Sequence, residues 1–194
     1  MIFEQLFDQK SSTYTYIIAS GEGREALIID PVIEHSDEYS TILKNLDLKL
    51  VKVIDTHIHA DHISALNELN KRTNCIRVMG EKSKSEVIDL RIKDGEKINV
   101  EEVELQAIYT PGHTDCSYSF LMNDRVFTGD TLLINGSGRT DFQNGNAYDA
   151  YDSIFNKLLK LPEKTFVFPA HDYNGKKFST IENEKNNNPR LQVS

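Results

Sequence analysis

Four side chains that can bind a metal ion lie within six residues of the chain, in the stretch His57-Ile58-His59-Ala60-Asp61-His62. The stretch directly follows an apolar run, residues 50–54, which predicts a buried strand. Loops at the carboxyl ends of strands are where α/β folds place their sites. Imidazole nitrogens and carboxylate oxygens together suit zinc, iron or manganese better than calcium. Because the chain contains only six histidines, this cluster predicts a metal centre.

Three more candidate ligands stand at the ends of predicted strands. They are His113 after Pro111-Gly112, Asp130 after Thr128-Gly129, and His171 after Pro169-Ala170. The small or rigid residues beside them let the backbone pack closely. The ends of strands from both halves of the chain can lie around the same cavity. We therefore expect one cavity to be surrounded by His57, His59, Asp61, His62, His113, Asp130 and His171.

The hydrophobic pattern predicts strands and helices in a similar order in both halves of the chain. The first half has strand patterns at residues 13–20, 25–30 and 49–55, and helix patterns at 36–45 and 62–71. The second half has strand patterns at 97–100, 103–109, 117–122, 125–128 and 165–169, and an amphipathic helix that includes 151–159. Ser179-Thr180-Ile181-Glu182 fits a capping box that begins a last helix. This order predicts an α/β sandwich of two mixed sheets with helices outside.

Size and charge exclude several classes of protein. A chain of 194 residues is expected to form one domain, residues 1–194, large enough to enclose a pocket. Its formal charge of −8 argues against nucleic acid as the main partner. No apolar run reaches the roughly 20 residues that a membrane span needs, and residues 1–5 are not a basic region before an apolar segment. We therefore expect a cytoplasmic protein with no nucleic-acid or membrane partner.

The chain has three other reactive side chains outside these motifs, two cysteines and a histidine. The two cysteines, Cys75 and Cys116, are too few for a disulfide framework, and we expect both to be buried thiols. A nucleophilic role for Cys116 stays open because it lies three residues after His113. His35 lies in a polar loop, where we expect it to be solvated.

The motifs together resemble the metallo-β-lactamase superfamily and, within it, the persulfide dioxygenase (sulfur dioxygenase) family. The superfamily pattern consists of His-x-His-x-Asp-His at 57–62, Pro-Gly-His-Thr at 111–114, Phe-Thr-Gly-Asp at 127–130 and a late histidine at 171. The segments Gly-Arg-Thr-Asp-Phe-Gln at 138–143 and His-Asp-Tyr at 171–173 narrow the resemblance to the dioxygenases. It covers nearly the whole chain and implies a metallo-β-lactamase-type αββα sandwich.

The resemblance also implies an activity and a ligand set. The family converts a persulfide such as glutathione persulfide, with O₂ and water, to the thiol and sulfite, using one Fe(II) per chain. Its iron ligands map onto His57, His113 and Asp130, a set that leaves up to three positions of the ion open for sulfur and O₂. The family's groups that orient ligands and shape the pocket map onto His59, Asp61, His62 and His171. Homodimers are common among such relatives.

Three residues near these motifs are candidate substrate contacts. Arg139 either clamps a substrate carboxylate bidentately or pairs with Asp141 to hold its own loop. Tyr173 lies two residues after His171, and we expect its hydroxyl to act as a catalytic group at the metal. Lys176 is a further candidate cation for an anionic substrate.

The alternative function is a dizinc thioester hydrolase resembling glyoxalase II. Hydrolases of the superfamily add His59 to the first metal and bind a second metal through Asp61, His62 and His171, with Asp130 bridging the two ions. All these residues are present. Two features argue against this alternative. Ile58 replaces a histidine that is common in glyoxalase II, and the glutathione-binding helical region of that family has no counterpart in the 194 residues.

Overall fold

Two six-stranded β-sheets form the centre of the computed structural model, which describes residues 1–192. The last two residues of the predicted domain lie outside the described residues. The first sheet contains, in spatial order, β1 (Ile2–Asp8), β2 (Thr13–Ala19), β3 (Glu25–Ile29), β4 (Lys49–Ile54), β5 (Ile76–Gly80) and β6 (Leu90–Ile92). The pairs β1–β2 and β2–β3 are antiparallel, and the remaining pairs are parallel.

The second sheet is also mixed. Its strands are β7 (Lys97–Val100), β8 (Val103–Tyr109), β9 (Tyr118–Met122), β10 (Arg125–Gly129), β11 (Phe166–Pro169) and β12 (Ser179–Thr180). They lie in the order β12-β11-β10-β9-β8-β7, and only the β10–β11 pair is parallel. The predicted sandwich of two mixed sheets is confirmed.

Helices cover the outer faces of the sheets. They are α1 (Ser36–Asn45), α2 (Leu66–Thr73), α3 (Ala147–Tyr151) and α4 (Ile181–Asn187). α3 continues directly into a π-helical segment, Asp152–Lys157, and a 3₁₀ turn, Leu158–Lys160. Asn146 is the N-cap of α3, and its side chain accepts hydrogen bonds from two backbone N–H groups of the first turn. No helix within residues 1–192 is long and apolar enough to cross a membrane.

Three apolar clusters hold the layers together. The cluster between the sheets includes Tyr16, Ile18, Leu105, Phe120 and Phe127. The outer clusters pack α1 and α2 on the first sheet, and the α3 segment and α4 on the second. Neighbouring residues of β2 enter different clusters because successive side chains of a strand point to opposite faces. Burying one large apolar side chain stabilises the fold by about 1.5–3 kcal/mol.

The boundaries of two predicted elements need correction. α2 begins at Leu66 rather than at 62, because the preceding residues bond elsewhere: Ala65 N–H donates to Pro31, and Ser64 Oγ donates to Asp55. The predicted capping box is wrong. Thr180 is the N-cap of α4 and accepts from the N–H of Asn183.

Candidate metal centre

Three predicted ligands meet at the edge where the two sheets come together. His57 follows β4, Asp130 follows β10, and His113 lies between β8 and β9. One ligand atom from each lies within 4.8 Å of the others. Asp130 Oδ2 is 3.9 Å from His57 Nε2 and 3.5 Å from His113 Nε2. Both distances are too long for a good hydrogen bond. They are compatible with ligand atoms that each lie about 2.1 Å from the same cation.

A hydrogen-bond relay sets the tautomer of His57. Thr56 Oγ1 donates to Asp30 Oδ2 over 2.9 Å, so the hydroxyl oxygen accepts from His57 Nδ1–H, also at 2.9 Å. The lone pair of Nε2 then faces Asp130. Burial lowers the pKa of His57 to about 3, and the ring is therefore neutral, as a metal ligand must be. Gly129 has a φ of 53°, and a Cβ there would lie 2.7 Å from Thr56 Oγ1, so only glycine lets β10 approach this relay.

His113 is oriented by the backbone. Its Nδ1 donates to the carbonyl oxygen of Arg139 over 2.8 Å. Because a carbonyl only accepts, Nδ1 bears the proton and Nε2 keeps the lone pair. The N–H of Gly138 donates to the carbonyl of Asp130 over 2.9 Å. One loop, residues 130–139, therefore positions two of the three candidate ligands.

Asp130 is held in its ionised form by His171. The Nδ1–H of His171 donates to Asp130 Oδ1 over 2.6 Å, and its Nε2–H donates to Asp61 Oδ2 over 3.0 Å. Burial alone lowers the pKa of His171, but the two carboxylates raise it to about 10. Burial alone raises the pKa of Asp130, but the charge of His171 holds it well below its usual range. In this arrangement both ring nitrogens of His171 are used in hydrogen bonds to carboxylates.

His59, Asp61 and His62 form a second group of candidate ligands, with ligand atoms within 4.8 Å of one another. His59 Nε2 lies 3.2 Å from Asp30 Oδ1. Burial alone lowers the pKa of His59, but the charge of Asp30 raises it to about 9. In the described part of the chain, His59 Nδ1 and His62 Nε2 are buried without a hydrogen-bond partner. Such atoms are costly unless a ligand or ion satisfies them, so this group also fits a cation.

A cavity of about 240 Å³, here called the metal-site cavity, opens beside these groups. It is lined by Asp61, His113, Asp130, Arg139, Gln143 and Tyr173, among others. Arg139 forms a bidentate pair with Asp141 at 2.8 and 3.0 Å, which is the second of the two predicted alternatives. The Tyr173 ring is 71% exposed and lies parallel to the ring of His171, with centroids 6.2 Å apart. Lys176 does not line this cavity.

Comparison with known proteins identifies the family. The sequence matches the metallo-beta-lactamase superfamily over residues 9–89 and 80–171. It is 42% identical over 197 residues to the mitochondrial persulfide dioxygenase ETHE1 of Mus musculus, covering 100% of this chain and 77% of that protein. The chain belongs to the persulfide dioxygenase family of this superfamily.

A solved structure supports the same assignment. ETHE1 from Myxococcus xanthus has a TM-score of 0.96 at 48% identity, covering 98% of this chain and 84% of that one. The hydroxyacylglutathione hydrolase of Dictyostelium discoideum is a weaker match, 29% identical over 90% of this chain and 68% of that protein. The predicted family, the fold class and the prediction of an enzyme of the persulfide dioxygenase kind are confirmed.

Sequence reasoning missed the residues that orient the ligands. Asp30 and Thr56 hold His57, and Thr13 Oγ1 lies 3.1 Å from His171 Nε2. One signal could have found Asp30, since it directly follows β3 just as Asp130 follows β10. Both cysteines are buried, as predicted. Cys116 Sγ contacts Thr114 Oγ1 at 3.4 Å and does not line the metal-site cavity.

Proposed function

We propose that the protein oxidises a low-molecular-weight thiol persulfide with O₂ and water to the thiol and sulfite, using one Fe(II) per chain. The observation that supports this proposal is the orientation of three ligand atoms, His57 Nε2, His113 Nε2 and Asp130 Oδ2. The other polar atom of each ligand is bonded to the protein. Two neutral imidazoles and one carboxylate are the donor set of non-haem Fe(II) oxygenases. When bound there, the ion would supply the redox chemistry that O₂ requires.

The surrounding residues would position the substrate and hold protons. Burial raises the pKa of Tyr173, and the charges of Asp130 and Asp61 add to the effect. The phenol therefore stays protonated at neutral pH and can donate to a sulfur or oxygen in the metal-site cavity. His171 keeps Asp130 ionised, and His59, Asp61 and His62 shape the base of the site. Substrate contacts of Arg139 and Lys176 remain predictions.

The proposal is tested with protein purified without oxygen. We expect one iron per chain and uptake of one O₂ per sulfite formed from glutathione persulfide. Tyr173→Phe should lower kcat roughly 100-fold or more, because it removes the proposed proton donor. Tyr148→Phe is the matched control, since that tyrosine is 88% exposed. Stoichiometric zinc together with no O₂ uptake would contradict the proposal.

A dizinc thioester hydrolase is the second candidate function, favoured by the unpartnered nitrogens of His59 and His62. The two functions predict different effects of His171→Gln. A mononuclear site keeps its single metal, bound more weakly, because His171 bonds Asp130, Asp61 and Thr13 and is not itself a ligand. A dinuclear site loses one of two metals. Metal analysis of this variant, with an assay for S-lactoylglutathione hydrolysis, decides between them.

The cytoplasmic location and the homodimer stay predictions. Fractionation of the native host would locate the protein, and light scattering of the purified protein would give its oligomeric state.

A further inference from the structure

Glu184 is a buried carboxylate to which the roles described above assign no part. It lies on α4 and is 0% exposed. A buried carboxylate is costly unless hydrogen bonds replace the water that it loses. Glu184 accepts such bonds from four groups. The donors are the N–H of Asn135, the hydroxyl of Ser179 and the side-chain amides of Asn183 and Asn188.

Two of these donors connect α4 to the loop of residues 130–139. The N–H of Asn135 lies 3.2 Å from Oε1 and 3.0 Å from Oε2 of Glu184, so both oxygens accept from it. The amide of Asn188 donates to Oε2 over 2.6 Å and to the carbonyl oxygen of Gly136 over 3.0 Å. One buried carboxylate therefore holds two consecutive residues of the loop, the first directly and the second through Asn188.

The backbone of this loop has considerable conformational freedom of its own. Gly136 and Gly138 restrain it little, because glycine populates many backbone conformations. Asn135 has a φ of 54°, in the left-handed region that most side chains avoid. Reciprocal backbone hydrogen bonds between Leu133 and Gly136, at 3.1 and 3.3 Å, close a turn but do not attach it to another element. The bonds to α4 therefore restrict where this turn can lie.

The anchored turn is adjacent to the two backbone bonds that orient the proposed metal ligands. The N–H of Gly138 donates to the carbonyl oxygen of Asp130 over 2.9 Å. The carbonyl oxygen of Arg139 accepts from His113 Nδ1 over 2.8 Å. Only one residue separates Gly136 from Gly138, and a residue spans at most about 3.6 Å of extended chain. A shift of the turn at Gly136 therefore displaces the groups that bond both ligands.

We propose that Glu184 is a positioning residue for the metal centre, and that it acts on His113 and Asp130 through the loop of residues 130–139. The inference rests on the proposed function, because these two residues are proposed metal ligands. It adds that the geometry of the ligands is set from α4, a helix that supplies none of the three ligands and does not line the metal-site cavity. Hydrogen bonds to a carboxylate are about twice as strong as those between neutral groups, so the charge of Glu184 strengthens this hold.

Hydrogen exchange of the metal-free protein tests the first step, the hold of Glu184 on the loop. Glu184→Gln keeps the shape of the side chain, but in either orientation its amide places a donor where an oxygen accepts from Asn135 N–H. Amides of residues 131–139 should exchange roughly tenfold faster or more, and those of β9 should change less. Ser179→Ala is the matched control, because it removes a hydrogen bond of the same carboxylate but none to the loop. Equal acceleration in the loop and in β9 would show only a weakened fold and would contradict the inference.

Metal binding tests the second step, the effect of the loop on the ligands. Competition between a chelator and the protein for Co(II) should show roughly tenfold weaker affinity or more for Glu184→Gln and for Asn188→Ala than for Ser179→Ala. The visible spectrum of bound Co(II) should also change in the first two variants, because His113 and Asp130 move relative to the ion. A fold weakened elsewhere leaves that spectrum unchanged. Asn188→Ala keeps the carboxylate, so it provides the test if Glu184→Gln does not fold.

The outcomes separate this inference from the proposed function. If affinity and spectrum change as expected but the wild-type protein takes up no O₂ with a persulfide, the proposed function fails and the positioning role of Glu184 stands. If the wild-type protein takes up O₂ and the Glu184 and Asn188 variants bind Co(II) as the Ser179 control does, the positioning role is wrong and the proposed function stands. Faster exchange of the loop without any change in Co(II) binding would also overturn the inference.

Discussion

Asp30 is the residue on which the tautomer of His57 depends. Its carboxylate accepts from Thr56 N at 2.7 Å and from Thr56 Oγ1 at 2.9 Å, and it lies 3.2 Å from His59. Its φ of 50° places it in the left-handed region, which asparagine also tolerates. Asparagine can therefore replace it without a change of backbone, and the substitution isolates the effect of the carboxylate.

We predict that Asp30→Asn lowers metal affinity roughly 10- to 100-fold, as loss of a group that orients a ligand commonly does. The new amide can donate to Thr56 Oγ1, and the Thr56 hydroxyl can then donate to His57 Nδ1. That arrangement favours a proton on Nε2 and removes the lone pair a metal needs. Competition with a chelator measures the affinity. Asp37→Asn, whose side chain is 94% exposed, is the control, and equal affinity in both variants would refute the relay.

His35 forms ion pairs outside the two groups of candidate metal ligands. The expectation that it is solvated is wrong, because its ring bonds Asp8 at 2.9 Å and Glu38 at 2.8 Å. The hydrogen bond with Asp8 raises the pKa of His35 above 6.5. Burial alone raises the pKa of Asp8, but hydrogen bonds from Ser11 and His35 lower it from 3.8 to about 2.

The pH dependence of stability follows from these two shifts. The contribution of His35 to the free energy of unfolding is complete below pH 6.5. It is lost as the pH rises through the pKa that His35 has in the folded protein, which is above 6.5. The contribution of Asp8 is present above pH 3.8 and is lost as the pH falls toward 2. We predict that His35→Gln costs up to about 1 kcal/mol at about pH 5 and less at about pH 9. Urea unfolding measures both values, and Lys10→Gln should show no such trend.

At the scale of elements, the loop after β10 holds two ligands through its backbone. Gly138 N–H donates to Asp130, and the next carbonyl accepts from His113. A Cβ at Gly138 would lie 2.1 Å from the Asp130 carbonyl oxygen and 2.9 Å from His113 Nδ1. At Gly136, in the same loop, the nearest atom would be 3.7 Å away.

We predict that Gly138→Ala reduces bound metal and activity at least roughly tenfold, because the loop must move away from both ligands. Gly136→Ala should change either quantity less than about twofold, since its Cβ meets only ordinary contacts. Metal analysis and O₂ uptake are measured on both variants, with circular dichroism to confirm folding. Similar metal content in the two variants would show that this loop does not position the ligands.

The sequence predicts elements well where the pattern is local and continuous. β4 and the histidine stretch after it could be predicted because one apolar run delivers several ligands. β1 was missed, since residues 2–7 neither alternate nor form one apolar run. The predicted helix through 151–159 changes to π-helical and 3₁₀ geometry, and Ile154, Leu158 and Leu159 of this segment pack on the second sheet. The helix pattern alone contains no signal for it.

The same contrast between local and distant contacts decides which residues of the candidate site the sequence predicts. The three proposed ligands could be predicted because their motifs are short, but Asp30 acts on His57 from 27 residues away in the chain. Similarly, Arg139 acts on His113 through its carbonyl oxygen, an atom that every residue type has. Contacts of this kind depend on the register of two sheets and leave no motif in the sequence.

At the scale of the whole molecule, the proposed metal centre joins the two sheets. His57 comes from the first sheet, and His113 and Asp130 come from the second. The backbone also crosses between the sheets here, since Tyr118 N–H donates to Thr56 O and Tyr14 N–H donates to Ala170 O. An ion bound to all three ligands would therefore oppose separation of the sheets.

We predict that metal stabilises the whole fold, since it binds the folded chain far better than the unfolded one. At a free metal concentration 100 times the dissociation constant, linkage gives about 2.7 kcal/mol of added stability. Thermal unfolding with and without Fe(II), in the absence of oxygen, measures the shift in Tm. His57→Ala loses a ligand from the first sheet and should show little shift. An equal shift in this variant would mean that the stabilising ion does not depend on His57, and the sheets would then not be joined through that ligand.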